Sequence, residues 1–213
     1  MNLEHHVPSL THLRAFARAR AAGRPTHVAT DRRQVAAAGE ARIQAFVYEK
    51  FITAVIEYVR NGSRGAAMDR AAAAAPDRMR PSYSAAAVGM TRVIAIISPT
   101  DAARRQHNVV VTVDEEDLVS LRIHLVFDLP SEEQVCAFMY FSEDRLTDTE
   151  IAVMETAITL ASMQVNPSAR PAIISVRSGD VAFVDRSAAT TAARVEFLRQ
   201  VSAEYRAEWA AAA

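Results

Sequence analysis

The period of the apolar positions changes near residue 108. Before it, Ile, Leu, Val and Phe recur every three or four residues, and after it they alternate. Pro8-Ser9 followed by LTHLRAFARARAAG predicts a short helix capped by Ser9. Leu10, Leu13 and Phe16 face inward, and Gly23-Arg24-Pro25 is the stop. Thr30-Asp31 opens a second helix that runs to Arg60. Its Ile43, Phe46, Val47, Phe51, Val55 and Tyr58 keep helical spacing, and Ile52, Ile56 and Val59 widen the stripe over much of the circumference. Asn61-Gly62 ends it. Residues 63–84 read as an Ala-rich linker or mobile helix between Gly and Pro breaks. A helix capped by Ser84 then carries Val93, Ile94, Ile96 and Ile97.

Downstream, NVVVTV predicts a strand and DEED at 114–117 a charged turn. VSLRIHLVFDL predicts one long strand, with Val119, Leu121, Ile123, Leu125, Phe127 and Leu129 on one face and Arg122, His124 and Asp128 on the other. QVCAFMYFS, apolar on both faces, predicts a covered central strand. Thr147-Asp-Thr-Glu150 is a capping box opening a helix with Ile151, Met154, Ile158 and Ala161. AIISVRSGDVAFVD reads as a hairpin, and a last helix capped by Ser187 carries Val195, Leu198, Val201, Tyr205 and Trp209. The expectation is an α+β fold: a helical N-terminal half, then a three-strand antiparallel meander and a hairpin packed with helices in two layers. Three segments follow: a basic helical segment over 1–62, the linker over 63–84, and an acidic α+β domain over 85–213.

Charge alters this picture. Residues 1–105 hold 16 Lys+Arg against 8 Asp+Glu, and residues 106–213 hold 8 against 17, so a chain of net charge −1 divides into halves of +8 and −9. Lys50 is the only lysine beside 23 arginines. Six of these, Arg14, Arg18, Arg20, Arg24, Arg32 and Arg33, cluster near the N-terminus with Asp31 as the only acid among them. Guanidinium groups pair bidentately with phosphate and carboxylate. The cluster is therefore the candidate contact for nucleic acid, for an acidic protein surface or for the acidic half of a neighbouring copy. The competing reading has the halves neutralise each other within one fold. Only Phe16 among the arginines offers a stacking surface for single strands.

Several chemistries are excluded. The chain has no GxxxxGK[ST], GxSxG, HExxH or GxGxxG and no Ser-x-x-Lys. Its one cysteine, Cys136, permits no intrachain disulfide or cysteine-pair zinc site, and its apolar neighbours predict an inert thiol. Glu4, His5, His6 and His12 form a metal candidate that a polar chain end explains better. His124 and Asp128 are two pleats apart, about 13 Å along a strand, too far for a relay. Arg122 and His124 read as exposed polar-face residues. No apolar run reaches the roughly 18 residues of a membrane span, and MNLEHHVPSLTHLR lacks the apolar core of a signal peptide.

The order helix, three strands, helix, strand pair, helix over residues 85–210 resembles the YbjN and type III secretion chaperone-like fold. That resemblance implies a dimer that binds a polypeptide and has no catalytic residues. Helix, three strands, helix, strand also resembles the core of PD-(D/E)xK nucleases, which implies an acid on the second strand and acid-x-lysine on the third, holding a divalent metal. Asp128 sits on the second strand, and QVCAFMYFS supplies neither acid nor lysine. The combined expectation is a non-enzymatic, intracellular binding or assembly protein. It forms a homo-oligomer, uses no cofactor or metal and avoids membranes; a degenerate nuclease-like fold is the alternative.

Overall fold

The computed structural model describes residues 6–19, 21–36, 41–105 and 107–212, with only the backbone at 21 and 41–47. Ser9 caps α1 (Leu10–Arg18), its hydroxyl accepting from the His12 N–H at 3.3 Å, and Leu10, Leu13, Phe16 and Ala17 are buried. Gly23-Arg24-Pro25 is not a stop. It opens α2 (Arg24–Ala36), because a proline in the first turn lacks only an N–H that has no helical partner there. The long expected helix is thus α2 and then α3 (Ala41–Arg60), which ends at Gly62 with φ +69°.

Residues 63–84 are not a linker. They hold α4 (Ala67–Ala73), a 3-10 turn and the start of α5 (Arg80–Ile97), which therefore begins before Ser84. Ala67, Met68, Ala72, Ala75 and Tyr83 are buried with Phe51, Val55 and Met90. Small side chains let α4 lie close against α3 and α5, so an alanine run that looked uncommitted is a packing surface.

The strands are β1 (Asp101–Ala103), β2 (Val109–Val113), β3 (Glu116–Leu121), β4 (Leu125–Asp128), β5 (Gln134–Tyr140), β6 (Arg170–Ser175) and β7 (Asp180–Phe183). The expected meander does not form. The long strand breaks at Arg122–His124, and its first part, β3, pairs with β2 as a separate ribbon. Its second part, β4, joins a five-stranded sheet of order β1-β4-β5-β6-β7. Unbroken alternation hid this, because Leu121 and Leu125 are both buried but in different cores. The crossover helix α6 (Asp148–Val165) makes β5 and β6 parallel, while the other neighbours in the sheet are antiparallel.

Thr147 and Glu150 close the expected capping box on α6. Asp185 caps the short α7 (Arg186–Ala189) and Thr191 caps α8 (Ala192–Ala211), so Ser187 caps neither. The fold is α+β with helices on both faces of the sheet, rather than two layers. One core joins α3, α4 and α5 to Leu125, Phe127, Ala137, Met139 and Ile174. The other joins α1 and α2 to the ribbon, α6, α8, Phe138 and Ile173. Both of these large cores draw on both halves of the chain, while a small third cluster of Ile123, Cys136 and Ala169 lies within 85–213. Among the described residues no helix is long and apolar enough to cross a membrane.

Candidate functional site

The N-terminal arginines are engaged by their own chain. Arg14 Nη1 donates to Glu150 Oε1 at 2.5 Å, and Arg24 Nη1 donates to Glu204 Oε2 at 2.5 Å. Arg18 pairs with Asp144 at 3.5 Å on the surface. Arg32 donates to the Trp209 carbonyl at 2.8 Å and lies over its indole. Arg33 is exposed and bonds only its own helix, at the Ala29 carbonyl and Thr30. Arg20 lies outside the described residues. The expected separation of positive from negative surface is therefore absent at Arg14, Arg18 and Arg24, each of which meets a carboxylate of the acidic half. Arg14 is the most constrained. Glu150 is fully buried, and it also accepts from the Thr147 N–H at 2.8 Å and the Thr147 hydroxyl at 3.0 Å.

Two cavities open at the carboxyl end of β5, the position where ligands enter open sheets containing parallel strands. They share Tyr140 and Ser142 as a wall. The larger, about 730 Å³, lies between the start of α6 and the β6–β7 turn and is lined by Arg145, Ile151, Ile173, Arg177 and Asp180 among others. Arg177 pairs there with Glu143, and Arg194 holds Glu155 at 3.0 Å. The β6–β7 turn is fixed by a close approach. Gly179 has φ +78°, and a Cβ on Gly89 of α5 would stand 2.0 Å from the Val176 carbonyl oxygen.

The smaller cavity, about 440 Å³, is walled by Tyr48, Phe138, Tyr140 and Phe141, with Arg14, Glu49, Arg122 and His124 among its polar groups. Tyr48 and Phe141 stack at 3.9 Å, and the Arg14 guanidinium lies 5.0 Å from the centre of the Tyr140 ring. Glu49 accepts from Arg104 on one oxygen and Arg122 on the other. His124 is not the exposed polar-face residue that alternation predicts. The strand break turns it against Phe138, ring centres 4.8 Å apart, and its Nδ1 accepts from the Met139 N–H at 3.0 Å. Nε2 therefore carries the ring hydrogen at neutral pH. Burial, and secondarily the charge of Arg122, push its pKa down to about 4.

The other candidates are placed as follows. Glu4 and His5 lie outside the described residues. His6 stacks on Trp209 at 3.8 Å, and His12 lies 3.9 Å from buried Asp31, which accepts from Tyr205 at 3.1 Å. Burial lowers the pKa of both histidines. Among the described residues no group of three His, Cys, Asp or Glu side chains is placed to hold a metal ion. Asp128 accepts from Gln134 Nε2 at 2.7 Å and sits opposite Asp101 in the β1–β4 pair, away from both cavities. Cys136 is buried, and burial raises its thiol pKa. Sequence reasoning missed Tyr48, Glu49 and Tyr140. The only local signal was the polar pair Arg122 and His124, within two residues of each other on one apolar strand. Comparison with protein-family models, curated proteins and solved structures returns no match.

Proposed function

We propose that this protein acts by binding, without a chemical step, and that the paired cavities at the carboxyl end of β5 are its binding site. The observation that carries the reading is the smaller cavity. Its aromatic walls and few convergent polar groups are the composition of a ligand site, and both volumes fall in the usual range. Its carboxylate, Glu49, is held by Arg122, so among the described lining residues no free carboxylate stands ready as a general base. The sheet order, with a helix before and a crossover helix within, is compatible with the nuclease resemblance. Its second and third strands, however, turn His124, Phe138 and Tyr140 toward the cavity where that chemistry needs carboxylates and a lysine.

A fragment screen by ligand-observed NMR tests the reading, comparing the native chain with Ser142→Trp, which fills the wall common to both cavities. Fragments that bind the native chain and not the variant support it. Fragments that bind both alike, or no binding at all, refute it. Cleavage of DNA with magnesium or manganese, lost in Asp128→Asn, would favour the nuclease alternative. The N-terminal arginines give the polyanion reading no support, since their partners are intramolecular. The homo-oligomer expectation has one feature in its favour: Val88 and Ile96 lie about two turns apart on α5 and are 58% and 59% exposed. Light scattering on Ile96→Asp tests it, with conversion to a monomer expected and an unchanged mass against it.

A further inference from the structure

We infer that the smaller cavity takes a planar aromatic anion, an aryl carboxylate in chemical class. This rests on the binding reading above and specifies its ligand. The inference follows from which hydrogen-bonding capacity the cavity leaves unused. Arg122 commits Nη1 to Glu49 and Nε to the Arg105 carbonyl, leaving Nη2 without a partner among the described residues. Arg14 commits Nη1 to Glu150, leaving Nε and Nη2. His124 commits its acceptor nitrogen to Met139 and keeps the Nε2–H donor. The only carboxylate among the described lining residues, Glu49, already accepts on both oxygens.

The unused groups are thus mainly donors. The charge balance points the same way. Among the described lining residues Arg14 and Arg122 stand against one carboxylate, Glu49, a surplus of one positive charge, with Glu150 beneath Arg14 and exposed Arg104 on the outer oxygen of Glu49. A carboxylate supplies acceptors and the missing charge together, and charge-assisted bonds from guanidinium are the strong ones. The remaining walls are rings. Tyr48, Phe138, Tyr140 and Phe141 offer faces and edges suited to a flat ligand, which gains by offset or edge contact. A cationic ligand would meet the arginine surplus, and a neutral aliphatic one would leave the donors unmatched.

The probes are 1-naphthoate, neutral 1-naphthamide and cationic 1-naphthylmethylammonium, titrated into the full chain by calorimetry. Naphthoate should bind at least about tenfold tighter than the ammonium probe, as one additional charge-assisted hydrogen bond implies. Thr11→Trp and Asn108→Trp place a ring in the mouth of the cavity from exposed positions and should each weaken naphthoate about tenfold or more. Ser178→Trp, in the larger cavity, should leave it unchanged. Equal affinity for anion and cation, or naphthoate binding that survives both plugs, overturns the inference. If naphthoate fails while other fragments bind in a manner blocked by Ser178→Trp, the ligand class is wrong and the binding site stands. If no probe or fragment binds either cavity, both fail.

Discussion

Replacing Arg14 by methionine separates an internal clamp from an outward-facing contact. Glu150 is fully buried, and Arg14 keeps only 15% of its side chain exposed, so the substitution strands a carboxylate inside the core formed by α1 and α6. Removing one partner of a buried pair costs about 3–5 kcal/mol. The lower end applies here, because the Thr147 N–H and hydroxyl still donate to Glu150 at 2.8 and 3.0 Å. A loss of about 3 kcal/mol corresponds to roughly 6–12 °C in the melting midpoint of a chain this size. Arg33→Met, which removes an exposed side chain bonded only to its own helix, is the reference and should stay within about 0.5 kcal/mol of native. Pairing Arg14→Met with Glu150→Gln removes the stranded charge and should restore most of the loss. Urea unfolding followed by far-ultraviolet circular dichroism measures all three variants beside the native chain. If Arg14→Met is as mild as Arg33→Met, the clamp argument is wrong and Arg14 returns as a candidate for an external partner.

Three further outcomes follow from other sites. Unfolded, His124 titrates near 6.5 and, folded, at about 4, so the unfolded chain takes up the proton first and stability falls as pH drops through that window, by about 2 kcal/mol at pH 5. His124→Phe should flatten the loss between pH 7 and 5 in urea unfolding, and an unchanged slope refutes the assignment; His6 and His12, also lowered by burial, retain their share in the variant. Gly89→Ala drives a methyl into the Val176 carbonyl and should cost about 1–3 kcal/mol, read as a lower melting midpoint, and native stability would mean α5 does not sit where described. Cys136 should react with a thiol reagent at pH 8 only as denaturant opens the chain, and labelling of the native protein at the rate of an exposed thiol would contradict its burial.

Much of the fold was legible because local signals and burial agree. The Ser9 cap, the Thr147–Glu150 capping box and the apolar strand at Val135–Tyr140 all stand where pattern places them. Two of the failures share one cause. Alternation reports that a residue is buried, not beneath which layer, so Leu121 and Leu125 read as one strand though they serve different cores. Alanine spacing is weak in the same way, since Ala67 and Ala72 bury against neighbours whose positions only the tertiary fold supplies. The site was harder still. Tyr48 comes from α3, His124 from the strand break and Tyr140 from the end of β5, three places whose convergence depends on the β4–β5 pairing and on the packing of α3 against the sheet.

The charge halves show how a count along the chain becomes a pattern in space. Arg14–Glu150 joins residues 136 apart and Arg24–Glu204 residues 180 apart, so the basic half is tied to the acidic half pair by pair. Local balance then varies. Beside the ribbon, Arg199 and Arg206 share Asp114, Glu116 and Glu196, with carboxylates in excess and exposed to water. Around Glu49 the ratio reverses, with two arginines on one carboxylate and Arg14 across the same cavity. An acid surplus on an open surface is screened by solvent and salt. An arginine surplus against aromatic walls is screened far less, and it leaves unmatched donors beside a space that the described residues do not fill. Among the described charged clusters, the one by this cavity therefore combines unmatched positive charge with room for a second molecule.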